Sequence, residues 1–174
     1  MKEVAWIFGT SASGKETFIR NAANNQPALE ALGWMGRPLA ACQSSLKYIG
    51  QFDGDPIIEH RRKILEEVPL LLDSVEVVLI KWQSVDSWIS LPQKLREGLP
   101  GVRHRIIELR ASLPELEKRL KQKPWWTDYG HEKEFIGEEL EEVSRTTKDL
   151  KGFDITVLSS SEADNYSKLA PPGL

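Results

Sequence analysis

The sequence predicts an α/β fold: about five parallel strands in a sheet flanked by helices on both faces, a three-layer arrangement. Three observations carry this. Short apolar runs, Val4-Ala5-Trp6-Ile7-Phe8 above all, read as strands buried on both faces, the pattern of a parallel sheet. Segments with helical spacing alternate with such runs along the chain. A glycine-rich loop, Gly9 to Gly14, joins the first strand to the first helix.

The elements follow in order. Lys15 to Ala23 reads as a helix, with Phe18, Ile19 and Ala22 at helical spacing. Pro27 to Leu32 reads as a short second helix capped by Gly33. Pro38 to Cys42 is a weak apolar run, taken as the second strand. Asp53-Gly54-Asp55-Pro56 signals a turn and a helix start, with Asp55 as cap and Pro56 in the first helical position. Ile64, Leu65 and Val68 continue that helix. Val75 to Ile80 is the third strand. Ser87 to Gly98 reads as a helix and Arg105 to Leu109 as the fourth strand. Ser112 and Glu115 form a capping box that opens a helix running to about Gln122. Glu132 to Leu150 is a long helix that ends before Gly152, and Phe153 to Leu158 is the last expected strand. The tail from Ser159 to Leu174 is rich in Ser, Asp, Asn and Pro, and its last residues are expected to fray.

Composition bounds the function. The 174 residues suit one domain. Lys plus Arg number 23 against 26 Asp plus Glu, so no overall basic footprint exists and a nucleic-acid partner is not expected. The single cysteine, Cys42, excludes an internal disulfide framework and a multi-cysteine zinc site. His60, His104 and His131 are scattered, with no zinc-type spacing. No run of apolar residues is long enough to cross a membrane, and the first residues do not read as a signal peptide. A reducing, cytoplasmic setting is expected.

The sharpest motif is Gly9-Thr10-Ser11-Ala12-Ser13-Gly14-Lys15-Glu16-Thr17, which matches G-x-x-x-x-G-K. Glycines let such a loop turn its backbone N–H groups toward phosphate oxygens, and the lysine adds a point charge. Its place, after a strand and before a helix, is what the mechanism needs. Glu16 stands where Ser or Thr usually follows the lysine. Thr17 or Ser13 is then the candidate for the phosphate or the Mg²⁺ shell.

Strand plus Gly14-Lys15-Glu16-Thr17 resembles the P-loop kinases that phosphorylate nucleotides and other small molecules. Adenylate kinases show G-K-G-T at this place and phage-type deoxynucleotide kinases show G-K-D-T. The ribose-bisphosphate phosphokinases also carry an acid after the lysine. Arg105 to Ser112, followed by Leu116 to Lys123, is similar to their fourth strand and the helix leading into a lid. Their R-L-x-x-R reads Arg119-Leu120-Lys121-Gln122-Lys123 here.

The resemblance implies a P-loop NTPase fold over residues 1–174 with a short lid at about 121–133. It implies ATP as phosphate donor, Mg²⁺, and a small-molecule acceptor, nucleotide or metabolite. Lys15 is the expected catalytic cation, joined by Arg119 and Arg145, which flank the lid. Gly9 to Thr17 form the cradle, with Ser159 and Ser160 following the last strand.

Other candidates have two readings each. Asp53 and Asp55 form a D-x-D, which in related sugar and shikimate kinases binds substrate or metal; as a turn residue and a helix cap they need no such role. Arg61 and Arg62, with Arg37, are available to grip an anionic acceptor, or lie on a solvated face. Trp125 and Trp126 either close over a ligand or pack the lid onto the body. The acidic run Glu138-Glu139 and Glu141-Glu142 reads as a solvated helix face. One departure from pattern is plain: the strand ending at Ile80 leads to Lys81-Trp82, where an acid is expected. The expected function is ATP-dependent phosphate transfer, with a nucleotide-binding protein lacking transferase activity as the alternative. No N-K-x-D motif supports a GTPase.

Overall fold

The computed structural model describes residues 1–42, 56–82, 90–123, 132–150, 152–160 and 166–169. A six-stranded sheet runs through them in the order β2-β3-β1-β4-β5-β6. The strands are β1 (Glu3–Phe8), β2 (Leu39–Ala41), β3 (Val77–Lys81), β4 (Arg103–Arg110), β5 (Asp154–Ser160) and β6 (Tyr166–Leu169). The first five are parallel, and β6 pairs antiparallel with β5. The helices are α1 (Lys15–Asn21), α2 (Gln26–Leu32), α3 (Pro56–Leu71), α4 (Ser90–Gly98), α5 (Leu113–Lys121) and α6 (Glu132–Asp149).

All six residues of β1 are buried, as a central parallel strand requires. Successive side chains point to opposite faces and divide the core in two. On one face Trp6, Phe8, Val78, Ile80 and Ile106 pack with Ile64 and Val68 of α3, Leu91 and Leu95 of α4, and Val143 of α6. On the other, Ala5, Ile7, Leu79, Ile107 and Leu158 pack with Phe18 of α1 and Ala28 and Leu32 of α2. A third cluster joins Leu116 and Leu120 of α5 to Ile136 of α6, and Ala12 of the glycine-rich loop packs against it. Trp6, Trp34 and Trp82 are core residues as expected; Trp88 lies outside the described residues.

A sixth strand, for which the sequence gives no signal, lies within the tail. Tyr166 is buried and meets the Phe18 ring edge-on at 5.0 Å, which ties β6 to α1. The rest of β6 is exposed and polar at its centre, a form that blunts a sheet edge.

Local signals also resolve. Asn25 caps α2 through Ala28 N–H, and Gly33 ends it at φ 70°. Ser112 accepts from Glu115 N–H at 3.4 Å, but Glu115 does not return the bond; its carboxylate accepts from Arg119 Nε at 2.7 Å. A charged guanidinium one turn along is the stronger partner for that side chain. The first helix is shorter than expected: it tightens into a 3₁₀ turn at Ala22–Asn24. Among the described residues no helix is long and apolar enough to cross a membrane.

At the amino end of the sheet, Glu3 is 1% exposed and gathers three arginines. Arg37 Nη1 lies 3.0 Å from Glu3 Oε2, Arg105 Nε 3.2 Å from Oε1, and Arg103 Nη1 3.8 Å from Oε2. Trp34 Nε1 donates to Oε1 at 3.2 Å. Arg37 also reaches Glu76 and the Met1 carbonyl. It is therefore committed to this end of the sheet, opposite the loop, which corrects its place among the acceptor-binding candidates.

Candidate functional site

The chain leaves β1 at Phe8 and turns into the loop at the carboxyl end of the sheet, where parallel α/β sheets bind ligands. Gly9 has φ +151°, and a Cβ there would lie 2.6 Å from both Leu109 O and Ser13 Oγ. Only glycine fits. Gly14 has φ +94° and Ala12 φ 61°, so a non-glycine residue holds a left-handed conformation in the loop. That strain, of order 1 kcal/mol, sits in the segment expected to cradle phosphate. No side chain caps α1 at Gly14, which leaves its first N–H groups to other partners.

Lys15 folds back over the loop. Its Nζ donates to Gly9 O and Thr10 O, each at 2.7 Å, and the residue is 7% exposed. Burial pushes its pKa down to about 8; the nearby Glu139 carboxylate counters this, while the Lys81 ammonium adds to it. The loop lysine is thus a buried cation short of a full counter-charge, the state that an anion relieves.

Arg119 enters from α5. Its Nη1 donates to Ala12 O at 3.2 Å and to Ser160 Oγ at 3.4 Å. Ser160 in turn donates to Ser13 O at 3.0 Å. Arg119 and Ser160 therefore brace the loop from two elements. Ser159 points to the opposite side of β5, and its hydroxyl pairs with Ser167 of β6 at 2.6 Å. The alternation of a strand separates these two serines.

Ser13 is fully buried beneath the loop, close to Gly9, and does not line its mouth. Thr17 is half-buried in the first turns of α1. Arg145 is exposed on α6; it stands six residues beyond Glu139, about 120° away round the helix. Arg62 is exposed and pairs with Glu66 at 2.8 Å, and Arg61 is half-buried on the same helix. Asp53, Asp55, Trp125, Trp126 and residues 124–131 of the expected lid at 121–133 lie outside the described residues.

Two contacts were not foreseen. Glu139 of α6 accepts from Ser11 N–H at 3.0 Å and from Ser11 Oγ–H at 2.8 Å. The acidic run is therefore only partly a solvated face: Glu138 and Glu141 are exposed, but Glu139 is drawn to the loop by a free N–H and a hydroxyl. Nothing in the sequence singled it out from the other acids of the run; it lies two turns into α6. The second contact joins Lys81, the last residue of β3, to Glu16: Nζ lies 2.5 Å from Oε1. The lysine holds the Glu16 carboxyl below its ordinary range.

The cradle and its cations suit a nucleotide polyphosphate. Mg²⁺ is different. Loops of this type hold it with a hydroxyl after the lysine and an acid from a neighbouring strand. Here those places carry Glu16 and Lys81, which bind each other. Among the described residues no group of three or more His, Cys, Asp or Glu side chains is placed to hold a metal. The residues around the loop do not fit the usual protein anchor for Mg²⁺.

No protein-family model matches the chain, and no curated protein matches it. Solved structures share its fold. A sugar kinase from Janibacter sp. HTCC2649 is 16% identical with a TM-score of 0.53, over 91% of this chain and 86% of that one. A structure from the PezAT chromosomal toxin–antitoxin system of Streptococcus pneumoniae is 14% identical with a TM-score of 0.52, over 98% of this chain and 70% of that one. Shikimate kinase from Acinetobacter baumannii, in complex with shikimate, is 16% identical with a TM-score of 0.49, over 89% and 83%. At these identities the likeness to the sugar kinase and the PezAT structure shows the fold alone, a mostly parallel α/β sheet flanked by helices. It does not extend to an adenylate-kinase-like specificity.

Proposed function

We propose that this chain is an ATP-dependent phosphotransferase that moves the γ-phosphate to a nucleotide or another small-molecule acceptor. The observation that carries the reading is the buried Lys15 folded onto the Gly9–Thr17 loop at the carboxyl end of β1. Phosphoryl transfer asks a protein for positioning and charge neutralisation more than for covalent chemistry. Backbone N–H groups of the loop hold the phosphates, and Lys15 swings from its carbonyl partners to the β- and γ-oxygens. Arg119, already at the loop, neutralises charge that builds on the moving group. ATP supplies the phosphoryl group itself. Asp53, Asp55, Arg61 and Arg62 are the acceptor candidates, Arg145 is a second cation from the return helix, and segment 121–133 is the lid.

The test is transfer of labelled γ-phosphate across a panel of nucleoside monophosphates, sugars and hydroxy acids. Acceptor-dependent product from the wild type and none from Lys15→Ala supports the reading. The Glu16–Lys81 pair favours a second reading, a nucleotide-binding protein without transferase activity. In that case ATP binds and no acceptor in the panel is phosphorylated.

A further inference from the structure

The Glu16–Lys81 pair is more than a surface bridge. β1 and β3 pair so that Lys81 lies beside Ile7, two residues before Gly9. The bridge spans 65 positions of sequence and joins the sheet to the first turn of α1. Lys81 is the less exposed partner, 27% against 69% for Glu16. Its ammonium is close enough to Lys15 for the two charges to oppose each other. Lys123, at the end of α5, acts on the same two residues, Lys15 and Glu16. Lys15, Lys81 and Lys123 thus bring three ammonium groups, and Glu16 and Glu139 two carboxylates, to the neighbourhood of this loop.

We propose that Lys81 takes over part of the charge-neutralising role of a divalent metal at this loop. Glu16 holds the ammonium beside the cradle when no phosphate is present. An incoming polyphosphate then takes Lys81 from Glu16, because a multiply charged anion outcompetes one exposed carboxylate. Polyphosphate binding therefore depends little on Mg²⁺. This rests on Gly9–Thr17 being a phosphate cradle, and deepens that reading by assigning the source of its charge.

The experiment is isothermal titration calorimetry with ATP and with inorganic tripolyphosphate, each in Mg²⁺ and in EDTA. Wild-type affinities in the two buffers agree within about threefold. Lys81→Met binds about tenfold more weakly in EDTA, and Lys81→Arg retains binding there. The double variant Glu16→Ser/Lys81→Asp restores a hydroxyl and an acid, and its binding becomes Mg²⁺-dependent. Circular dichroism melts identify any variant that fails to fold, and the wild-type comparison stands without them. Wild-type binding that disappears in EDTA overturns this proposal and leaves the phosphate cradle standing, as does EDTA binding unchanged in Lys81→Met. Absence of binding in both buffers overturns the cradle and this proposal together.

Discussion

Glu139 gives both of its carboxylate oxygens to one loop residue: Oε2 accepts from Ser11 N–H and Oε1 from Ser11 Oγ–H. This fastens α6 to the loop across 128 positions of sequence. It also puts a negative charge near Lys15, against the anion that the proposed function would bring to this loop.

The Glu139–Ser11 contact stabilises the loop and opposes an anion there. Glu139→Gln removes the charge and weakens a charge-assisted pair of bonds, at a cost of about 2 kcal/mol. For a chain of this size that lowers Tm by roughly 5 °C. The same change raises ATP affinity at neutral pH by about three- to tenfold, since the repulsion is gone. Calorimetry of unfolding and of binding should move in opposite directions.

Lys15 carries a related conflict between stability and function. Its pKa in the folded, ligand-free protein is about 8, against an ordinary 10.5. Burial of the charge therefore disfavours the fold by up to ~3 kcal/mol below pH 8. Lys15→Met should raise the Tm of the ligand-free protein by several degrees while abolishing ATP binding. A lower Tm in this variant contradicts the account of Lys15 as a destabilising buried cation.

The pH dependence follows with a definite sign. Below pH 8 both folded and unfolded chains hold the Lys15 proton, and the burial cost is fully present. Between pH 8 and 10.5 the unfolded chain binds more protons, so this group makes the ligand-free protein more stable as pH rises. ATP binding runs the other way. Phosphate favours the charged lysine, so affinity falls as pH climbs above 8, by up to about tenfold per unit. Titrations in buffers of different ionisation heat should show proton uptake by this group on ATP binding between pH 8 and 10.5, and little at pH 7.

Arg119 links Ala12 O of the loop to Ser160 of β5. Arg119→Ala should lower acceptor-dependent transfer by about a hundredfold, with a much smaller change in ATP affinity. A loss confined to ATP affinity, with turnover intact, makes Arg119 a brace and not a catalytic cation.

Glu3 tests the far end of the sheet. Glu3→Gln leaves Arg105, itself buried, without its main counter-charge, and should cost about 3 kcal/mol of stability. Because the site lies at the opposite end of β1, ATP affinity of the folded variant should be unchanged.

Much of the architecture was legible because local signals agreed with one another. The buried run of β1, the Gly33 cap and the Ser112 cap each have a chemical cause within a few residues, and each is present. Gly9 was legible for the same reason: a strand-to-helix turn this tight leaves no room for a Cβ there. What escaped the sequence depends on long-range meetings. Nothing near Tyr166 announces a strand, because β6 forms only where β5 and Phe18 receive it. Arg37 looked free until the fold brought Glu3 and Glu76 to it. Glu139 shares its composition with exposed neighbours and differs only in facing Ser11. The missing acid after Ile80 was visible, but its meaning came from the partner that Lys81 finds in Glu16.

If Gly9 to Thr17 cradle the phosphates of ATP for transfer, binding of ATP depends on Lys15. Titration of ATP into wild type and Lys15→Met at neutral pH, in the presence of Mg²⁺, tests it most directly. One saturable site is expected in the wild type and no measurable binding in the variant, whose Tm shows it folded. Equal binding by both proteins, or none by the wild type, contradicts it.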